Sequence, residues 1–198
     1  MNASEKPPIG VIGVGWVGLV TAACFAEVGH RVVAVDIDAE KIEALRSGAR
    51  LPIHEPGLDE LVERNRERLS FTTEMADVLG AARLLFCCVD TPPTYSGDAD
   101  LSRVEAVVAT LPEGGEHALV MKSTVPAGTG AAIRRSKPDL VYVSCPEFLK
   151  EGTAVKDFLE PDRAVIGADP GSEWAADAIA DAYAPLGGEI VRTDVASA

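Results

Sequence analysis

Three glycines near the start of the chain have a spacing that suits the binding of phosphate groups. Gly13, Gly15 and Gly18 form a G-x-G-x-x-G directly after the apolar run 9–12, and the apolar, alanine-rich segment 19–28 follows as a predicted helix. Gly13 allows a tight turn, Gly15 lets backbone amides approach a pyrophosphate, and Gly18 lets helix and strand pack closely. The positive end of the helix dipole then stabilises the phosphates.

A carboxylate, Asp36, follows the β-branched run 31–35. It lies about twenty residues beyond the glycines, where a dinucleotide-binding βαβ unit has the acid that binds the adenosine ribose. A carboxylate accepts hydrogen bonds from a 2′-hydroxyl and repels a 2′-phosphate, so NAD is favoured over NADP, although Lys41 or Arg31 could soften that preference. The NAD contacts predicted in this unit are Gly13, Val14, Gly15, Trp16, Val17, Gly18, Asp36 and Lys41.

Length and composition indicate one globular domain over residues 1–198, with 47% hydrophobic residues. A formal charge of −13 argues against nucleic acid and anionic membranes as partners. The polar leader 1–8 does not resemble a secretory signal, and no apolar stretch is long enough to span a bilayer. We therefore expect a cytoplasmic protein with four reduced cysteines and no metal site.

Strands and helices alternate along the chain, which predicts an α/β fold with a Rossmann-like, doubly wound, mostly parallel sheet. The predicted strands are residues 9–12, 31–35, 69–72, 83–89, 117–122, 140–144, 164–167 and 190–191. The predicted helices after the first are residues 39–46, 58–68, 101–111, 127–136 and 173–183, with a Gly/Pro-rich connection over 51–57. Asp100 is the expected N-cap of one helix, and adjacent Cys87 and Cys88 should point to opposite faces of a strand.

Three later segments follow predicted strands, and ligands of open α/β sheets bind at the carboxyl ends of strands. Residues 88–92 are placed to line a dinucleotide, and residues 122–126 offer hydroxyls and free amides. Residues 144–152 contain Glu147 and Glu151, four positions apart, which share a face if the segment is helical. A solvated helix start is the alternative interpretation of these two acids.

At these segments the sequence resembles the UDP-glucose/GDP-mannose dehydrogenase family, most closely its UDP-glucose 6-dehydrogenases. The resemblance covers nearly the whole chain, and its specificity comes from the order of several modest motifs. These are G-V-G-W-V-G at 13–18, E-P-G-L at 55–58, T-P at 91–92, G-D-A-D-L at 97–101, K-S-T-V-P at 122–126, P-E-F-L-K-E-G at 146–152 and P-D-R at 161–163.

The resemblance implies NAD-dependent oxidation of the C6 alcohol of a nucleotide sugar to a carboxylate, using two NAD and one water through a cysteine adduct and a thioester. Glu147 would be the acid/base residue, which both hydride loss and thioester hydrolysis require. Thr124 would lie near NAD and the reacting water, and Glu151 near the nicotinamide. The remaining implied contacts are Val89, Thr91, Pro92 and Ser123 to NAD, and Phe148, Leu149 and Lys150, together with Glu147, to the sugar nucleotide.

Two parts of the family pattern are missing from the sequence. The family's nucleophilic cysteine, in a Gly-x-Cys context, belongs to a C-terminal domain, and its catalytic lysine lies on the helix that connects the domains. We therefore expect the chain to be the cofactor-binding half, inactive alone, of an enzyme that is a homodimer or larger. Cys145 is the candidate substitute, but beside Glu147 it is better interpreted as a small buried residue.

Other hypotheses stay open. The sugar could be GDP-mannose or UDP-N-acetylmannosamine, or the chain could be a stand-alone NAD-binding module without turnover. A two-electron dehydrogenase using Glu147 as base would instead give one NADH per sugar and an aldehyde. The natural reading frame distinguishes a nucleotide-sugar dehydrogenase from a stand-alone NAD-binding module. The dehydrogenase requires that it continue past Ala198 into a helix with a lysine and a later Gly-x-Cys.

Overall fold

The computed structural model describes residues 6–48, 53–112 and 114–198, and within these ranges eight strands form one sheet. The strands are β1 (Lys6–Ile12), β2 (His30–Val35), β3 (Leu69–Thr72), β4 (Leu84–Cys87), β5 (Ala118–Met121), β6 (Val141–Ser144), β7 (Arg163–Ala168) and β8 (Glu189–Thr193). Their order across the sheet is β3-β2-β1-β4-β5-β6-β7-β8. Strands β1 to β6 are parallel, whereas β7 is antiparallel to β6 and β8 is parallel to β7. The predicted mostly parallel α/β sheet is confirmed.

Helices cover both faces of the sheet. The helices of the described ranges are α1 (Trp16–Glu27), α2 (Ala39–Ser47), α3 (Leu58–Arg64), α4 (Met75–Ala81), α5 (Ser102–Thr110), α6 (Thr129–Ser136), α7 (Ala154–Leu159) and α8 (Glu173–Tyr183). Short 3-10 turns follow α3 and α8, at Arg66–Arg68 and Ala184–Leu186. Residues of α1, α2, α3, α7 and α8 form one apolar layer, and residues of α4, α5 and α6 form the other.

The strands supply both layers because successive side chains alternate between faces. Val11 and Phe86 pack in the α1 layer, while Ile12 and Leu85 pack in the α5 layer. Cys87 lies in the α5 layer and Cys88 in the α1 layer, which confirms that the two thiols point in opposite directions.

Some element boundaries differ from the sequence prediction. Helix α1 begins at Trp16, directly after the glycine turn, rather than at residue 19. Helix α3 ends at Arg64 instead of 68, because the amide side chain of Asn65 donates to the Leu61 carbonyl and the chain tightens into a 3-10 turn. Helix α4 is absent from the prediction, since its seven residues include an interior glycine and bury only Val78.

Asp100 is not the N-cap of α5, contrary to the sequence prediction. The N-cap of α5 is Leu101, although Asp100 Oδ1 still accepts from the Ser102 amide at 2.9 Å. Residues 51 and 52 of the predicted connection, and residues 1–5 of the leader, lie outside the described residues. Across the described ranges, no helix has the length and apolar character needed to cross a membrane.

Candidate functional site

The parallel strands end in one aligned row. The paired terminal residues in register are Val35, Ile12, Cys87, Met121 and Ser144, which belong to β2, β1, β4, β5 and β6. The glycine turn, Asp36 and the three later segments 88–92, 122–126 and 144–152 therefore lie at the same edge of the sheet. The strand order reverses at β1, between β2 and β4, which is the switch point where such sheets bind ligands.

The glycine turn after β1 combines close packing with open space. Gly13 has a φ of +89° and its amide donates to the Val35 carbonyl at 2.8 Å. A Cβ on Gly18 would come within 1.8 Å of the Gly13 carbonyl oxygen, so no larger residue fits. A Cβ on Gly15 would meet nothing within 4 Å, because this position faces an open cavity. The backbone is thus free to approach a pyrophosphate at Gly15.

Asp36 is fixed at the rim of that cavity. Its Oδ2 accepts from the Val14 amide at 2.8 Å and from Lys41 Nζ at 3.0 Å, and its Oδ1 accepts from the Asp38 amide at 3.0 Å. Burial alone would raise the pKa of Asp36, but the hydrogen bonds from Asp38, Val14 and Lys41 outweigh it and hold the pKa below its ordinary value. An ionised carboxylate is the acceptor that ribose hydroxyls need.

The cavity over this edge has a volume of about 610 Å³, within the usual range for small-molecule sites. The predicted residues that line it are Gly13, Gly15, Trp16, Val17, Asp36, Lys41, Val89, Thr91, Ser123, Thr124 and Glu147. Its walls also include residues the sequence analysis missed, among them Ile37, Met75 and Arg103. Ile37 directly follows Asp36 and is almost fully exposed. An apolar residue next to the predicted ribose-binding acid was the only clue to it in the sequence.

Four predicted cofactor residues lie outside this lining. Val14 is buried and offers its amide to Asp36, and Gly18 packs against the Gly13 carbonyl. Pro92 is exposed, and its carbonyl accepts from the Asp100 amide. Glu151 is exposed in the turn before α7 and lines neither this cavity nor the next one.

A second cavity, of about 330 Å³, lies beside the first and is lined by the loop after β6, by α7 and by the start of β7. The predicted substrate residues Phe148, Leu149 and Lys150 line it. Glu147 and Lys122 line both cavities. A carboxylate at this boundary can reach a group held in either cavity.

The loop over residues 145–153 is irregular, so Glu147 and Glu151 do not share a helical face. Carboxylates hold its backbone in place of helical hydrogen bonds. Glu147 accepts from the Leu149 amide, and Asp157 accepts from the Lys150 amide at 3.0 Å. Helix formation begins only at Ala154.

The buried surroundings of the loop are unsuited to thiol chemistry. All four cysteines are free and buried. Burial raises the pKa of Cys145, despite the nearby Lys122 ammonium and a hydrogen bond with Tyr183. Lys122 itself is buried, with its Nζ 3.1 Å from the Tyr183 hydroxyl. Cys145 is therefore a weak nucleophile at neutral pH.

Glu55 is a polar residue whose role sequence reasoning missed. Its side chain is buried, yet its carboxylate contacts both the glycine turn and the loop after β6, through Trp16, Gly152 and Ala154. An acid followed by Pro-Gly suggests only a turn, and the partners of Glu55 are too distant in sequence to be inferred from it.

A mostly parallel sheet with a glycine turn, an acid directly after β2 and a cavity at the switch point defines a Rossmann-like dinucleotide-binding domain. Residues 8–186 match the model of the NAD binding domain of the UDP-glucose/GDP-mannose dehydrogenase family, and the chain belongs to this family. NAD is the cofactor of this domain.

Relatives and solved structures agree with this assignment. UDP-glucose 6-dehydrogenase of Rhizobium meliloti is 45% identical over 90% of this chain and 43% of its own length. UDP-glucose 6-dehydrogenase TuaD of Bacillus subtilis is 41% identical over 96% of this chain and 43% of its own. A UDP-glucose dehydrogenase structure from Pyrobaculum islandicum superposes with a TM-score of 0.87 at 37% identity, covering 100% of this chain and 48% of that one. The chain thus spans less than half the length of these relatives.

Proposed function

We propose that this chain binds NAD and supplies the acid/base carboxylate, Glu147, for oxidation of a nucleotide sugar at C6, with UDP-glucose as the substrate. The observation that supports this most directly is the position of Glu147 at the boundary of the two cavities. The first cavity has the contacts of a dinucleotide site, and the second lies where a substrate would face the reactive end of the cofactor. The UDP-glucose activity of relatives at 41% and 45% identity supports the choice of sugar nucleotide.

In this proposal the residues of the first cavity bind NAD and orient its nicotinamide ring. The amides near Gly15 and the start of α1 bind the pyrophosphate, and Asp36 accepts from the adenosine ribose. Thr91, Ser123 and Thr124 lie at the other strand ends, where they contact the nicotinamide half. Bound NAD supplies the hydride acceptor.

In the substrate half of the site, Glu147 is the residue that accepts and releases the proton. Glu147 accepts the proton of the C6 hydroxyl while the hydride leaves, and Thr124 lies in the same cavity for a water. Phe148, Leu149 and Lys150 seat the substrate in the second cavity. The exposed position of Glu151 favours a contact at the rim rather than with the reacting atoms.

The second oxidation needs a thiol that this chain does not offer in reactive form. Its four cysteines are buried, and burial raises the pKa of each. We propose that the nucleophile belongs to the further part of the enzyme that the longer relatives contain. The chain then contributes the NAD-binding half, and the family's C-terminal domain completes a homo-oligomeric enzyme.

The test is the yield of NADH from limiting UDP-glucose and excess NAD, measured by absorbance. The 198-residue chain alone should bind NAD by calorimetry and give no NADH. The same chain fused to the residues that follow the matched region in the Bacillus subtilis relative should give two NADH per sugar. Two NADH from the chain alone would make Cys145 the nucleophile, and one NADH from the fusion would favour a two-electron oxidation.

The role of Glu147 is tested in the fusion enzyme. Glu147→Gln should slow turnover about 100-fold, the loss typical of a removed general base, with NAD affinity changed less than about twofold. Glu189→Gln is the matched control, because Glu189 is exposed on β8, lines neither cavity and should leave turnover nearly unchanged. Equal losses of turnover and NAD affinity in Glu147→Gln would make Glu147 structural. NAD binding without turnover in an intact fusion would favour a stand-alone NAD-binding module.

A further inference from the structure

Glu55 lies in the connection before α3, with a side chain that is only 3% exposed. Its carboxylate receives hydrogen bonds from three donors that are far away in sequence. Oε2 accepts from Trp16 Nε1 and from the Gly152 amide, both at 3.0 Å, and Oε1 accepts from the Ala154 amide at 2.8 Å. The sequence separations are 39, 97 and 99 residues, so the contact is purely tertiary.

Hydrogen-bond donors hold the charge of this carboxylate. Within the described ranges, no lysine or arginine forms an ion pair with Glu55. Burial alone would raise the pKa of Glu55, but the hydrogen bonds from Gly152, Ala154 and Trp16, with the nearby His54, hold it below its ordinary value. A buried carboxylate of this kind is costly unless all its donors are in place.

The donors belong to both halves of the candidate site. Trp16 is the first residue of α1 and lines the cofactor cavity directly after Gly15. Gly152 and Ala154 close the loop that contains Glu147 and Lys150. Because Oε2 accepts from both Trp16 and Gly152, one oxygen atom joins the glycine turn to the Glu147 loop.

We propose that Glu55 is a positioning residue that couples the glycine turn to loop 145–153, so that NAD binding at Trp16 orders the loop that holds Glu147. The inference rests on the proposed function, because it needs NAD in the first cavity and Glu147 as the acid/base residue. Glu55 contacts neither cavity, and its effect passes through the turn and the loop.

Glu55→Gln is the direct variant. The amide keeps the volume of the side chain but replaces one accepting oxygen with an NH₂ group, which would face the N–H donors of Trp16 and Gly152 or that of Ala154. Glu27→Gln is the matched control. Glu27 accepts from the Asn65 amide side chain at 2.6 Å and from Arg64 Nε at 3.1 Å, and thus joins α1 to the end of α3 without involving the loop.

The measurement is amide hydrogen exchange of the whole chain, without NAD and at NAD saturation, after calorimetry has given the NAD affinity of each variant. In the wild type, NAD should slow exchange about tenfold in both segments 13–18 and 145–153. Glu55→Gln should still bind NAD and slow exchange at 13–18, but the NAD-dependent protection at 145–153 should be lost. Glu27→Gln should behave as the wild type. Wild-type exchange at 145–153 in Glu55→Gln, or no NAD effect there in the wild type, would overturn the proposal.

If Glu55→Gln does not fold, Trp16→Phe provides a second test of the coupling between the glycine turn and loop 145–153. It replaces the indole with a smaller ring that has no N–H, and so removes this donor while leaving the carboxylate and its bonds to Gly152 and Ala154. At an NAD concentration that saturates this variant, the ratio of NAD-free to NAD-bound exchange rates at 145–153, measured within the variant, should be several-fold smaller than the same ratio in the wild type. An undiminished response would show direct ordering by NAD and reject the coupling. Failure of the wild type to bind NAD would instead reject the proposed function.

Discussion

The two cavities differ in how their walls are held. The cofactor cavity is bounded by short loops that the sheet backbone holds directly, as in the Gly13 amide bond to Val35 and the Cys88 amide bond to Ile12, both at 2.8 Å. The second cavity is bounded by loop 145–153, whose amides donate to the side chains of Glu147, Asp157 and Glu55. The first wall follows mainly from strand pairing, although Asp36 also accepts from the Val14 amide. In the second wall the Cys145 amide still bonds to the Met121 carbonyl, but the rest of the loop depends mainly on carboxylate side chains.

This difference separates what is rigid from what can be adjusted. A loop fixed by strand pairing cannot move without disturbing the sheet, since its hydrogen bonds continue the sheet. A loop held largely by three side chains can change its order when one of these hydrogen bonds is lost. The substrate side of the site is therefore the more responsive of the two.

The largest effect should come from Gly18→Ala in the rigid wall. The new Cβ would lie 1.8 Å from the Gly13 carbonyl oxygen, and that backbone cannot retreat without breaking the turn. We expect a loss of more than about 3 kcal/mol in the free energy of unfolding, measured by urea denaturation. Gly80→Ala in α4, where nothing lies within 4 Å, should be neutral or stabilising by up to about 1 kcal/mol. Similar stabilities for the two variants would contradict the packing role of Gly18.

Gly15→Ala should separate ligand binding from folding in the same wall. Its Cβ meets no protein atom within 4 Å, so the free energy of unfolding should fall by no more than about 1 kcal/mol, since glycine is preferred over alanine at the N-cap of α1. The methyl group would occupy space that the pyrophosphate needs, and NAD affinity should fall at least about tenfold, or 1.4 kcal/mol. Calorimetric titration with NAD measures this. Unchanged affinity would place the pyrophosphate elsewhere.

Asp36→Ala should alter selectivity more than affinity. Loss of the carboxylate removes the acceptor for the ribose and frees Lys41, so NAD affinity should fall about tenfold and the gap to NADP should narrow. Asp38→Ala is the control, because Asp38 caps α2 and should cost about 1 kcal/mol of stability without changing the NAD to NADP ratio. An unaltered NAD affinity in Asp36→Ala would remove Asp36 from the site.

The smallest expected effect is a pH-dependent difference in amide exchange between loop 145–153 and the loops that follow β1 and β4. Burial opposes the charge of Glu55 and Asp157, yet hydrogen bonds hold the pKa of each below its ordinary value. Each group therefore contributes stability that is present above its unfolded pKa and lost as the pH falls through its folded pKa. Below about pH 4, exchange protection of the Lys150, Gly152 and Ala154 amides should decrease before that of the Gly13 and Cys88 amides. Simultaneous loss would mean that the two walls open together.

The placement of the glycine turn, Asp36 and the segments after β4 and β5 at one edge of the sheet could be predicted from the sequence, because its determinants are local. The spacing of Gly13, Gly15 and Gly18 and the acid after β2 are dictated by one βαβ unit, and the strands that follow place Thr91 and Ser123 at the same edge. The conformation of loop 145–153 was not predictable in the same way. Glu147 and Glu151 have helical spacing, but contacts to Glu55 and Asp157 replace helical bonds. Glu55 lies almost a hundred residues from its partners, beyond the reach of pattern analysis.

Cys87, the last residue of β4, and Cys88, which follows it, can report separately how fast each of the two apolar layers opens. Burial raises the pKa of Cys87 to about 11 and that of Cys88 to about 12, so neither reacts with an alkylating reagent until its layer opens. Because the two side chains face opposite layers, fragmentation of the labelled peptide in tandem mass spectrometry, which assigns the label to Cys87 or to Cys88, would give separate opening rates for the α5 side and the α1 side. Two adjacent residues thus report the local opening of two separate parts of the core.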